Sequence, residues 1–155
     1  MKVLLLNGGS SSLKCTLVES AGAVVVAHAT ADWAGAATHY AWERDGQTRP
    51  QREVPWRGQA PAVRQALADL GLVGARPPEF AAVGHRIVHG GELTSPVRIA
   101  PEVRARIASL AELAPLHNPP GLEVSAAEAL LPAVPHVAVF DTAFHATLPE
   151  ASGSA

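Results

Sequence analysis

Along the first third of the chain, apolar positions recur with period two. Lys2 to Asn7 is a short apolar run closed by Gly8-Gly9, which predicts a buried strand. After Ser10-Ser11-Ser12, the residues Leu13, Cys15 and Leu17 alternate with Lys14, Thr16 and Val18, which predicts a second strand with one buried face. Ala21-Gly22 turns the chain into Val24-Val25-Val26, so residues 2–30 read as an antiparallel meander. Thr38 to Arg44 and Thr48 to Val54 flank Asp45-Gly46, a pair that tolerates the positive φ angles of a type I′ hairpin turn. Pro50 puts the second arm at a sheet edge or makes it irregular, because proline donates nothing to a ladder.

From Pro61 the period changes to that of a helix. Val63, Ala66, Leu67 and Leu70 share one face of a helix over 61–70, and Gly71 stands where a C-terminal cap belongs. Ala81 to Val88 returns to strand character before Gly90-Gly91. Pro101 then opens a helix over 101–113 with Val103, Ile107 and Leu110 on one face, and Pro115 stops it. A loop from Leu116 to Pro120 leads into a helix over 120–131. Val137 to Phe140 is an apolar strand that delivers Asp141 at its carboxyl end. A meander followed by alternating helices and strands predicts an α/β fold with a mixed sheet. Residues 1–149 form one domain in this expectation, and the small polar residues 150–155 a flexible tail.

Composition narrows the classes. With 48% hydrophobic and 17% charged residues among 155, neither a disordered chain nor a coiled coil fits. The 12 basic and 14 acidic side chains leave a formal charge of -2, so no general field attracts nucleic acid or an anionic membrane. No apolar run reaches the roughly 18–20 residues of a membrane span. The run Val3 to Leu6 is too short for a signal peptide, and a cytoplasmic protein is expected. Cys15, the single cysteine, excludes an internal disulfide and a Cys-rich zinc site.

Several segments carry candidate chemistry. In Asn7-Gly-Gly-Ser10-Ser-Ser12-Leu-Lys14, glycines let the backbone approach an anion, the serines add hydroxyl donors and Lys14 adds a point charge. The Asn7 side-chain carbonyl suits Mg²⁺, directly or through water. The segment is not a Walker A loop, since no glycine directly precedes the lysine and a strand follows; an ordinary solvated hairpin loop has the same composition. In Gly84-His-Arg-Ile-Val-His-Gly-Gly-Glu92, alternation places His85, Ile87 and His89 on one face and Arg86 and Val88 on the other. Arg86 suits a bidentate carboxylate clamp, or equally a structural arginine paired with a buried acid. A zinc pair of His85 and His89 is the weaker use of those histidines, because their spacing suits a helix and the segment is extended. His117 and His145 join a site only if their loops converge on Asp141. Asp141 lies where open α/β sheets place ligands and metals, although an aspartate there can also cap the next element.

Taken in order, Leu4-Leu-Leu-Asn-Gly-Gly-Ser-Ser-Ser-Leu-Lys14, Gly84-His-Arg-Ile-Val-His-Gly-Gly-Glu92, Leu116-His-Asn-Pro-Pro120 and Val139-Phe-Asp-Thr-Ala-Phe-His145 resemble the acetate kinase (acetokinase) family. The resemblance covers residues 2–149. It implies a ribonuclease-H-like mixed sheet with flanking helices, one domain of the two-domain superfamily of acetate and sugar kinases and actin. It implies reversible transfer of the ATP γ-phosphoryl group to acetate, giving acetyl phosphate and ADP with Mg²⁺. Carried over, Asn7 stands at the magnesium site, and Lys14 with Ser10 and Ser12 at the nucleotide phosphates. Arg86 becomes the acetate-binding arginine, Val88 a neighbour of the methyl pocket, His117 an active-site histidine and Asp141 the catalytic aspartate. Acetate is already ionised at neutral pH, so Asp141 has no proton to remove and orients the metal or its waters instead.

Family chains are much longer and homodimeric. The resemblance therefore implies an N-terminal portion with little activity alone, without most of the dimer interface. Two alternatives stand beside it: a phosphate-binding half-domain that works with a separate second half, and a portion of a propionate or butyrate kinase.

Overall fold

Leu4 and Leu6 are buried while Leu5, between them, is 42% exposed, so the period-two pattern of the first strand becomes two distinct sheet faces. The computed structural model describes residues 1–74, 78–88, 90–113 and 120–141. Within them the meander comprises β1 (Lys2–Gly8), β2 (Ser12–Glu19), β3 (Val24–Asp32), β4 (Thr38–Arg44) and β5 (Gln47–Val54). Then follow α1 (Gln59–Asp69), β6 (Val83–Ile87), β7 (Val97–Arg98), α2 (Pro101–Leu113), α3 (Pro120–Leu130) and β8 (His136–Phe140). The strands form one 8-stranded sheet in the order β5-β4-β3-β2-β1-β6-β8-β7. Neighbours from β1 to β5 pair antiparallel, whereas β6 pairs parallel with both β1 and β8. The expected mixed α/β sheet is the fold observed.

Local chemistry accounts for the turns. Asp45 and Gly46 take φ of 52° and 76°, as a type I′ turn requires, and Pro50 lies on the edge strand β5. Gly71 takes φ of 65°; its N–H bonds the Ala68 carbonyl and the Leu72 N–H bonds the Leu67 carbonyl, closing α1. The start of α1 differs from expectation. It begins at Gln59 after Gly58, because a proline in the first turn displaces no intrahelical hydrogen bond. β3 extends to Asp32, past the valine run, because Ala27, Ala29 and Ala31 alternate inward between two paired strands. The two-residue β7 has no sequence period to detect and was not expected. The stop at Pro115, the loop over 116–119 and the tail over 150–155 lie outside the described residues.

Helices α1 and α3 pack on each other and on β1 and β2, burying Leu4, Leu6, Leu13, Leu17, Val63 and Leu67 in the main core. A smaller cluster joins Ile87, Ile107, Val124 and Phe140 beneath β6 and β8. Among the described residues the opposite sheet face is open, with Leu5 and Val139 each 42% exposed.

Two outcomes test this packing. Leu67→Ala removes a fully buried side chain, and its expected cost is about 2–5 kcal/mol by urea unfolding. Cys15 is 0% exposed, and burial, helped by the charge of Glu123, pushes its thiol up to about 12. The folded chain should therefore be inert to a disulfide reagent at pH 8 and titrate its one thiol after denaturation. Rapid reaction of the native chain would contradict the buried position.

Candidate active site

β1, β6 and β8 run parallel, so their carboxyl ends lie at one edge of the sheet, where open α/β folds bind ligands. Asn7 is the Cα partner of Arg86, and Arg86 is the partner of Val139, which lies two residues before Asp141. All point to the open face, because Leu6, His85, Ile87 and Phe140 alternate with them toward the helices.

Register brings these side chains into contact. Arg86 donates from Nε to Asp141 Oδ1 at 2.9 Å and from Nη2 to Oδ2 at 2.6 Å, a bidentate fork. Its Nη1 donates to Asn7 Oδ1 at 3.1 Å. The side chains of Arg86 and Asp141 are 52% and 32% exposed, so the cluster faces solvent. The hydrogen bonds that Arg86 donates to Asp141 push the guanidinium pKa further up, and Arg86 is a permanent cation. Of the two expectations for Arg86, the structure shows a pairing with an acid, although Asp141 is half-exposed rather than buried.

The loop after β1 is tied down through its backbone. Gly9 N–H donates to the Ser12 carbonyl at 2.8 Å and Trp33 N–H to the Ser11 carbonyl at 2.8 Å. From α1, Gln59 Nε2 donates to the carbonyls of Gly9 at 2.6 Å and Ser12 at 3.2 Å. This leaves Ser10 exposed and Ser12 half-buried at the loop. Lys14, the Cα partner of Asn7 on β2, is exposed on the same face. Beside it lies a groove of about 250 Å³ lined by Ser12, Lys14, Thr30, Asp32, His39 and Gln51. Val88 follows directly after β6 and is 40% exposed. A larger apolar hollow of about 630 Å³, between Leu72 and Leu130–Val134, lies at the opposite end of β8 from Asp141.

The structure thus joins Asn7, Arg86 and Asp141 directly and sets Ser10, Ser12, Lys14 and Val88 around them. His117, His89 and His145 lie outside the described residues. His85 is no zinc ligand: its ring nitrogens lie 2.9 Å from Glu123 Oε1 and 2.9 Å from His136 Nδ1, beneath the sheet. Sequence reasoning missed Gln59, Glu123 and His136. A usable signal existed for His136, which shares inward alternation with Ala138 and Phe140. Asn7 and Asp141 supply hard oxygen donors at one edge, a donor set that fits Mg²⁺ retaining several waters.

Known proteins share this arrangement of sequence and fold. The chain is 41% identical to an acetate kinase of Alkaliphilus metalliredigens, over 98% of this chain and 40% of that one. It is 42% identical to an acetate kinase of Streptomyces coelicolor, over 97% and 39% respectively. Among solved structures, a Porphyromonas gingivalis acetate kinase superposes with a TM-score of 0.78 at 38% identity, over 97% of this chain and 39% of that chain. A propionate kinase of Francisella tularensis superposes with a TM-score of 0.76 at 31% identity, over 96% and 38%. The chain spans about two-fifths of the length of the curated relatives it matches. The sequence profile described as "Acetokinase family" matches residues 2–154 and so takes in every motif that builds the Asn7–Arg86–Asp141 edge; the chain belongs to that family.

Proposed function

We propose that this chain is the acceptor-binding and metal-side portion of an acetate kinase, contributing to reversible transfer of the ATP γ-phosphoryl group to acetate. The observation that carries the proposal is the Arg86 fork, closed on a carboxylate at 2.9 and 2.6 Å and braced by Asn7. The Asp141 carboxylate shows what shape fits that fork. Acetate entering it takes over hydrogen bonds that Asp141 now accepts. Only one carboxylate fills the fork at a time, and the exchange is cheap because the pair is half-exposed. Acetate arrives ionised, so the task is to bring an anion in line with a polyanionic phosphate rather than to make a nucleophile. Arg86 neutralises and aligns the acceptor, while Lys14 with the Ser10–Ser12 loop faces the nucleotide phosphates. Asn7 Oδ1 and Asp141 would hold Mg²⁺, which when bound supplies positive charge at the phosphoryl oxygens. Val88 lies beside Arg86 where a short acyl group would rest, and His117 is assigned to the acceptor side.

A hydroxamate assay for acetyl phosphate with saturating ATP and Mg²⁺ tests the proposal. Residues 1–155 alone should give at most a trace, since they span about two-fifths of the acetate kinases they resemble. Joined to the remaining sequence of such a relative, the chain should turn over acetate, and Asp141→Ala should lower the rate by at least about 10²-fold. Arg86→Lys removes the planar fork; a loss of about 1.5–3 kcal/mol raises the acetate KM roughly 10- to 100-fold. A folded joined chain that transfers nothing would overturn the proposal. So would strong turnover by residues 1–155 alone that Asp141→Ala abolishes, because the site would then be complete in this chain.

A further inference from the structure

Beneath Arg86, on the helix side of the sheet, lies a line of buried polar groups. Glu123 in the first turn of α3 is 1% exposed, His85 0% and His136 6%. Glu123 Oε1 lies 2.9 Å from His85 Nδ1, His85 Nε2 lies 2.9 Å from His136 Nδ1, and His136 Nε2 lies 3.0 Å from the Leu131 carbonyl oxygen. A carbonyl oxygen only accepts, so His136 Nε2 carries a proton and donates it. Each of the other contacts needs one proton between its atoms, because two bare acceptors do not approach to that distance. Whichever atom owns each of these protons, the glutamate and the two histidines together carry no net charge. Burial lowers the His136 pKa, which favours its neutral ring. A neutral, fully donated chain is the form in which such groups are tolerated in a core.

The second oxygen of the same carboxylate lies against β1. A Cβ built on Gly8 would collide with Glu123 Oε2 and would stand 3.1 Å from both amide atoms of Gln59. Glu123 therefore touches the residue beside Asn7 on one strand and the residue beside Arg86 on its neighbour. Asn7 and Arg86 are Cα partners across those strands and meet on the far face at 3.1 Å.

We propose that Glu123 is a positioning residue: through His85 and Gly8 it fixes the ends of β6 and β1 and so sets the Asn7–Arg86 contact that receives the acceptor carboxylate. The proposal rests on the Asn7–Arg86–Asp141 cluster being the site, but its test reads Arg86 rather than phosphoryl transfer. A failure of the kinase assay and a failure of this proposal are therefore separate results.

Glu123→Gln and Glu123→Leu test it on the ¹⁵N-labelled 155-residue chain, by the chemical shift and solvent exchange of the Arg86 Nε–H. Gln keeps one proton in each contact, since its Nε2–H donates to His85 Nδ1 while His85 still donates to His136. The expected result is an Arg86 signal as in the parent for Glu123→Gln. For Glu123→Leu the signal should move toward the free-arginine position and exchange at least about tenfold faster, with the backbone amides of β3 and β4 unchanged. An unaltered Arg86 signal in folded Glu123→Leu overturns the proposal. If Glu123→Leu loses the β3 and β4 amide pattern, Glu123→Met, which keeps the unbranched side chain but removes the oxygens facing His85 and Gly8, is read in its place: a loosened Arg86 supports the proposal, and a parent-like one overturns it.

Discussion

β1, β6 and β8 are held in parallel register, and the meeting of Asn7, Arg86 and Asp141 depends on that pairing. Parallel neighbours cannot be joined by a tight turn, so the chain must cross over between them, and helices α1 and α3 lie in those crossovers. The same helices cover one sheet face and supply Gln59 and Glu123 beneath the first loop. Among the described residues the opposite face is left open at the strand ends, where Asn7, Arg86 and Asp141 stand. A one-residue slip of β6 would turn Arg86 into the core and His85 out to solvent, so burial of His85 enforces the exposure of Arg86.

Magnitudes separate the two sides of this sheet. The Arg86–Asp141 pair is half-exposed, and such pairs contribute about 0–1 kcal/mol to stability. A contact worth so little can be exchanged for another carboxylate without loosening the fold. The Glu123–His85–His136 line is buried, and breaking such a pair by removing one partner costs about 3–5 kcal/mol. An inexpensive, replaceable contact thus stands above an expensive, fixed one. That ordering suits the proposed acceptor site, which would release and rebind small anions while its backbone stays in place.

Much of this was legible in the residues themselves. Leu13, Cys15 and Leu17 alternate clearly enough to define β2, Asp45-Gly46 identifies the β4–β5 hairpin, and Gly71 marks the end of α1. Asn7 and Asp141 could be placed at strand ends, and Arg86 on a strand face, from the sequence pattern alone. Their mutual hydrogen bonds could not, because they depend on which strands are neighbours, and β1, β6 and β8 are separated by long stretches of chain. Glu123 escaped notice for a different reason. In sequence it is an acid in the first turn of a helix, where solvent exposure is the ordinary expectation, and only its contact with His85 shows it to be buried. β7 is too short to carry any period.

The central claim is that the Arg86 fork is a carboxylate site that Asp141 occupies in the absence of an acceptor. An acetate titration followed at the Arg86 Nε–H, in the parent chain and in Asp141→Asn, tests it most directly. Removing the competing charge while keeping the side-chain shape should tighten acetate binding several-fold, up to about fivefold, the equivalent of about 1 kcal/mol and the most such a half-exposed pair contributes. If acetate leaves the Arg86 signal unmoved in both proteins, or binds Asp141→Asn more weakly than the parent, the fork is not where the acceptor binds and the account fails.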